Sequence, residues 1–143
     1  MIDDLGGGFE LGRRFLTSWL NGDLSPEMDT ILEKEYGIHK NNFVKNFYEK
    51  PELELISSLP ELISSLREDP VVNKLIRTYF GEFIDKQILP LCSTAKISSF
   101  SIVGSIGFFF YRDIQDVAKS MNVSVDQCIQ SPIQRLVKYH AYT

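Results

Sequence analysis

A run of β-branched and aromatic residues, Ile97-Ser98-Ser99-Phe100-Ser101-Ile102-Val103, sits in a chain otherwise patterned for helices. It ends at Gly104-Ser105, where the spacing of apolar residues changes to the 3.6-residue period of a helix. A strand cannot satisfy its own backbone N–H and C=O groups, so this run constrains the fold more than any helix does. Val123 and Val125 mark a second short strand ending near Ile129. So short a strand content needs partners from another chain or from a sheet lying upstream in a longer protein. Both routes describe the chain as part of something larger.

Everything before Ser93 reads as helix. Leu11, Phe15, Leu16, Trp19 and Leu20 fall on one face of a helix from about Phe9, opposite Arg13, Arg14 and Ser18, and Asn21-Gly22 stops it. Ser25-Pro26-Glu27 starts a second, carrying Met28, Ile31, Leu32 and Tyr36 as far as Gly37. Phe43, Val44, Phe47 and Tyr48 mark a third. Prolines 51 and 60 bracket a fourth with Leu53, Ile56 and Leu59, after which Leu62, Ile63 and Leu66 follow. Asp69-Pro70 caps the longest helix, whose stripe runs from Val72 through Ile76, Tyr79, Phe80 and Ile84 to Ile88, and Pro90 closes it. A helix from about Ile106 presents Phe109, Phe110, Ile114, Val117 and Ala118. Ser131-Pro132-Ile133-Gln134 is a capping box that starts a last helix with Ile133, Leu136 and Val137. The pattern is that of an α-rich α/β chain.

Composition narrows the function classes. A hydrophobic content of 43% with 24% charged residues over 143 residues is that of one globular domain. A net charge of −4 argues against nucleic acid as a partner, and no apolar run is long enough for a transmembrane helix. The acidic, glycine-rich start does not resemble a signal peptide, so the expected location is cytoplasmic. Cys92 and Cys128 stand apart without metal-ligand spacing and read as buried free thiols.

Two segments carry candidate chemistry. Asp3-Asp4-Leu5-Gly6-Gly7-Gly8 leads directly into the first helix. Consecutive glycines let backbone approach a ligand closely, and the helix start offers N–H groups and a positive dipole end. The same glycines read equally well as a flexible lead-in. Val103-Gly104-Ser105-Ile106 is a strand–Gly–Ser–helix turn, the device by which α/β folds bring backbone against a nucleotide, although such turns also serve as plain connections. Phe108 to Tyr111 reads as core before it reads as a base-stacking platform. His39 reads as a surface or capping residue, and His140 as a complement to a helix dipole. No Ser/His/Asp grouping, HExxH or Walker-type loop is present.

The order of these pieces resembles the C-terminal half of the BadF/BadG/BcrA/BcrD-type ATPases. The pieces are the acidic glycine loop, Gly12-Arg13-Arg14, the acidic turn Glu33-Lys34-Glu35-Tyr36-Gly37, a helical insertion, and Phe100 to Ile106 with Phe110 and Asp113-Ile114. Ser131-Pro132-Ile133, Leu136-Val137 and Tyr139-His140 close the series. The functional relatives of that family are the N-acetylglucosamine kinases, within the sugar kinase, Hsp70 and actin superfamily. The family's opening loop is Gly-Asp-Glu-Gly-Ser-Gly. Asp4, Gly6 and Gly8 match it, while Asp3, Leu5 and Gly7 stand where the family has Gly, Glu and Ser.

The resemblance implies a single partial domain over residues 1–143. It would be the C-terminal RNase H-like (actin-like ATPase) lobe of a two-lobe sugar kinase, with a helical region over 9–90 and a nucleotide-side region over 96–140. It implies a transferase that moves the γ-phosphoryl group of ATP, with Mg²⁺, to an amino sugar such as N-acetylglucosamine. Asp4, Gly6, Gly7 and Gly8 would face the sugar, and Gly104 and Ser105 the adenosine. The phosphate loops and the general base precede the opening loop in the family, so no residue here is assigned a catalytic or metal-ligating role. The fragment alone is expected to be inactive and to need the missing N-terminal lobe as partner, with a homodimer as a further option. Two alternatives stand beside this: a non-catalytic helical protein-interaction module, and an ATPase activator of a 2-hydroxyacyl-CoA dehydratase.

Overall fold

Helices form where the apolar stripes put them, and the two strands find each other. The computed structural model describes residues 4–50 and 52–141. Their order is α1 (Gly8–Leu20), α2 (Glu27–Tyr36), α3 (Lys40–Glu49), α4 (Leu53–Ser65), α5 (Pro70–Phe83), a π-helical turn (Ile84–Ile88), α6 (Leu89–Ala95), β1 (Ser99–Val103), α7 (Ser105–Ser120), β2 (Ser124–Ile129) and α8 (Ile133–Ala141). The chain divides into two units, one up to Leu75 and one from Ile76. Asp3 and Pro51 lie outside the described residues.

In the first unit the core is built on α1. Leu11, Phe15, Leu16 and Trp19 are at most 2% exposed, and burial of each such side chain contributes roughly 1.5–3 kcal/mol. The Trp19 indole N–H donates to Asp29 Oδ1 at 2.6 Å, which joins α1 to α2 and leaves no buried donor wasted. Gly37, at φ +66°, ends α2 in the left-handed conformation that a glycine adopts without penalty. α3 has no buried residue: Phe43 and Phe47 are half-buried, while Val44 and Tyr48 are exposed. Its first turn leans on Trp19 through the Phe43 ring edge and the Lys40 ammonium, 5.6 Å from the indole centroid.

Pro60 does not bracket α4 but lies buried inside it. Lacking an N–H, it leaves the Ile56 carbonyl without its i+4 donor. That carbonyl faces α1 at Gly12, where a Cβ would collide with Ile56 O and come within 3.0 Å of Ile56 Cγ2. The Gly12 Cα hydrogen that a side chain would replace therefore points at the freed oxygen, a weak C–H···O contact at the α1–α4 crossing. A position that propensity marks as a break becomes a place where two helices come into close contact.

Asp69 caps α5 as expected, its Oδ1 accepting from Val71 N–H at 2.8 Å and Val72 N–H at 3.1 Å, with Pro70 at the first helical position. In the second unit, Ile76, Tyr79, Phe80 and Ile84 are at most 1% exposed. Pro90 does not close this helix. The π-helical turn over Ile84–Ile88 precedes it, and the chain continues helical through α6 to Ala95. Widening the turn accommodates a residue that cannot donate, which a regular α-helix would register as a kink.

β1 and β2 pair in parallel, with Ser99 opposite Ser124, Phe100 opposite Val125, Ile102 opposite Cys128 and Val103 opposite Ile129, and an irregularity between Phe100 and Ile102. α7 is the crossover that a parallel pair requires. The partner for β1 is thus found within the chain. α8 starts after Pro132, whose carbonyl accepts from Leu136 N–H at 2.9 Å, and its residues Ile133, Leu136, Val137 and Tyr139 are exposed.

Candidate functional site

The opening loop closes on itself. Gly7 N–H donates to Asp4 O at 2.8 Å, with Gly6 at φ +99° completing the turn. The Asp4 carboxylate folds back over Gly7, and Oδ2 accepts from the Glu10 N–H at 3.2 Å. A Cβ on Gly7 would overlap Oδ1 and lie 2.7 Å from Asp4 Cγ. The carboxylate therefore sits at the positive end of α1 and satisfies one of its orphan donors. Asp4 and the three glycines come together as one unit, as their spacing suggests.

One turn along, Glu10 gathers two arginines. Arg13 Nε donates to Oε2 at 2.8 Å, Arg13 Nη2 to Oε1 at 2.7 Å and Arg14 Nε to Oε1 at 3.0 Å. The Arg13 hydrogen bond, helped by Arg14 and opposed by partial burial, holds the Glu10 carboxyl down at about 2. The first turn of α1 is thereby a charged surface whose acid stays ionised at any physiological pH.

The β1–α7 turn is built differently. Gly104 adopts φ +116°, ψ 176°, a conformation that essentially only glycine occupies, and beyond its chain neighbours no atom lies within 4 Å of where its Cβ would stand. Its N–H donates to Ile129 O at 2.9 Å, fixing the turn to the end of β2, and Ser105 is exposed at the start of α7. Open space above a glycine at the end of a strand suits the flat approach of a ligand. At Gly107 the reverse holds: a Cβ would collide with Ile102 Cγ2 and come within 3.1 Å of Cys128 Sγ, so the missing side chain is what seats α7 on the two strands. Burial in this packing pushes the Cys128 thiol pKa upward.

Elsewhere the first unit has an open cleft of about 220 Å³ beside α1 and α3, lined among others by Arg13, Leu16, Leu20, Val44, Tyr48 and Ile56. It involves none of the sequence-assigned site residues. Among the described residues no group of three or more His, Cys, Asp or Glu side chains is arranged to hold a metal ion, and no helix is long and apolar enough to cross a membrane.

No family model matches the sequence, and no curated protein matches it. Among solved structures, a protein of Porphyromonas gingivalis described as a "Putative N-acetylglucosamine Kinase" superposes over 100% of this chain with a TM-score of 0.86 at 24% identity. The match covers 50% of that protein. The chain has the fold of half of it. At this identity the likeness speaks to fold alone: a helix-rich chain with a small parallel sheet.

Three features to which sequence reasoning assigned no structural role shape these elements: Gly107 under α7, Gly12 at the α1–α4 crossing and the Glu10 clamp on α1. Gly107 was signalled by the Gly-x-x-Gly spacing with Gly104, and Gly12 by its place in the middle of an apolar stripe. The Glu10 clamp was signalled by its i, i+3 and i, i+4 spacing to Arg13 and Arg14.

Proposed function

We propose that this chain supplies one half of an ATP-dependent amino-sugar kinase, with the opening loop on the sugar side and the β1–α7 turn on the adenosine side. The observation that carries the reading is the superposition of the entire chain on half of the N-acetylglucosamine kinase-like structure. The open space over Gly104 supports an adenosine moiety approaching the turn. Asp4, beside the first turn of α1, is the acceptor for sugar hydroxyls, and Gly6 and Gly8 keep side chains out of the way. ATP and Mg²⁺ supply the phosphoryl chemistry, which rests on positioning and charge stabilisation. No described residue is assigned as Mg²⁺ ligand or catalytic base; those come from the N-terminal lobe that the kinase reading requires as partner.

The reading gives four measurable outcomes. The purified 143-residue chain shows no sugar phosphorylation in a coupled assay above a no-protein control, and turnover would overturn the division of labour. Amide resonances of residues 4–10 move on titration with N-acetylglucosamine and those of residues 104–107 on titration with ATP. Asp4→Asn weakens the first response by removing a charged acceptor whose hydrogen bonds are each worth roughly 1.5–3 kcal/mol. Gly104→Val abolishes the second while β2 and α7 keep their native spectra.

A second reading draws on α8, where Ile133, Leu136, Val137 and Tyr139 are between 52% and 67% exposed. Such a face on an amphipathic helix fits a module that docks on another protein. It is separated from the first by the titrations, since it predicts no response to either small molecule. The dehydratase-activator alternative gains nothing from the cysteines, as Cys92 is buried and Cys128 packs against the α7 seat.

A further inference from the structure

We infer that Gly7 determines which way the Asp4 carboxylate faces, and so sets the strength of polyhydroxyl binding at the opening loop; the ligand half of this rests on the sugar-side reading above. With no side chain at position 7, the carboxylate occupies the space a Cβ would take and accepts the Glu10 N–H. Asp4 is thus employed as the cap of α1. A sugar hydroxyl that approaches it must compete with that internal bond, which reduces apparent affinity by the fraction of molecules in which Asp4 is turned outward.

The local geometry makes position 7 an effective control point. Gly7 is the N-cap residue of α1 at φ −88°, ψ 163°, extended backbone that any residue adopts without strain. A serine there is a favoured N-cap, and its hydroxyl accepts from the third helical amide, which in α1 is that of Glu10. Gly7→Ser therefore does two things at once. Its Cβ evicts the Asp4 carboxylate, the movable end of an exposed side chain, and its Oγ takes over the hydrogen bond that Asp4 gives up. The helix stays capped while Asp4 turns to solvent. Gly7→Ala evicts Asp4 in the same way but leaves the Glu10 amide to water.

The experiment uses the full 143-residue chain with uniform isotope labelling. The Asp4 carboxyl carbon resonance and the hydrogen-exchange protection of the Glu10 amide report the carboxylate's position without any ligand. In Gly7→Ser the Asp4 resonance moves while Glu10 protection is kept; in Gly7→Ala both change. N-acetylglucosamine, titrated at constant ionic strength, then binds Gly7→Ser about tenfold more tightly than the parent chain, the factor expected for removing one competing charged hydrogen bond. An unmoved Asp4 resonance in both variants overturns the inference. So does weaker sugar binding in Gly7→Ser, which would make the folded-back carboxylate the productive one. Movement of Asp4 with no sugar response in any of the three proteins upholds the control by Gly7 and overturns the sugar-side reading instead.

Discussion

The starts of α1 and α7 are both glycine-marked, yet they use glycine for opposite reasons. At Gly7 the backbone is ordinary and the space is full: φ is −88° and the Asp4 carboxylate fills the position of a side chain. At Gly104 the space is empty and the backbone is unusual, with φ at +116°. A crowded glycine can be replaced if its neighbour can move, whereas a left-handed one is strained by any replacement. Three residues on, Gly107 adds a case in which the neighbours are packed strand side chains that cannot move cheaply. Sequence alone shows three similar letters; their tolerances differ by what surrounds them.

The largest effect is expected at Gly107. Gly107→Val drives two methyl groups into Ile102 and Cys128, destabilising the second unit by about 3 kcal/mol, the upper end of ordinary overpacking. Urea denaturation followed by the β2 and α7 amides reads this directly, and a loss under 1 kcal/mol would mean that α7 is not seated as described. Next comes Gly104→Ala, where the glycine-only backbone costs roughly 1–3 kcal/mol through the Cβ meeting its own backbone, with no contribution from crowding by other elements. Its midpoint shift should be matched by Gly104→Ser, because a φ penalty depends on having a Cβ more than on its size. A graded loss with side-chain volume would argue for crowding instead. Gly7→Ala follows at about 1 kcal/mol, the worth of a helix cap, with Gly7→Ser near the parent value. Equal losses in the two would break the contrast between the starts.

The smallest effect is a pH dependence of the α1 start. Glu10 is held at about 2, below its ordinary 4.5. A carboxyl depressed in the folded state contributes stability that is complete above the unfolded value and is lost as pH falls through the folded one. The contribution should therefore fade between pH 4.5 and 2 and be absent in Glu10→Gln. Parallel acid-unfolding curves for parent and variant across that window would show that the arginine clamp adds nothing, as many exposed ion pairs do.

Where one local rule decided the outcome, the sequence was a reliable guide. Asp69-Pro70, Gly37 and the stripes of α1 and α5 follow from capping and periodicity alone, and the change of period at Gly104 marks the β1–α7 junction. The pairing of β1 was misjudged because β2 is short and its alternation weak, with only Val125, Cys128 and Ile129 half-covered. Pro60 and Pro90 were read as terminators because a proline's cost is local, while what offsets it at Pro60 is a neighbouring helix and at Pro90 a widened turn. The α3 stripe was legible as a helix but not as an exposed one, since burial depends on what lies opposite. At the candidate site, spacing brought Asp4 and the opening glycines together but gave no sign that the carboxylate would turn inward.

The crossing of α1 and α4 has a consequence for how such a chain can change over time. The Ile56 carbonyl lacks a helical donor only because residue 60 is proline, and it finds room only because residue 12 is glycine. Replacing Pro60 with an ordinary helix former would give that oxygen a donor, yet Ile56 Cγ2 and the carbonyl carbon would still stand 3.0 and 3.2 Å from a Cβ at position 12. The constraint therefore runs one way: position 60 can regain an N–H without disturbing α1, whereas position 12 stays confined to glycine for as long as the two helices cross there.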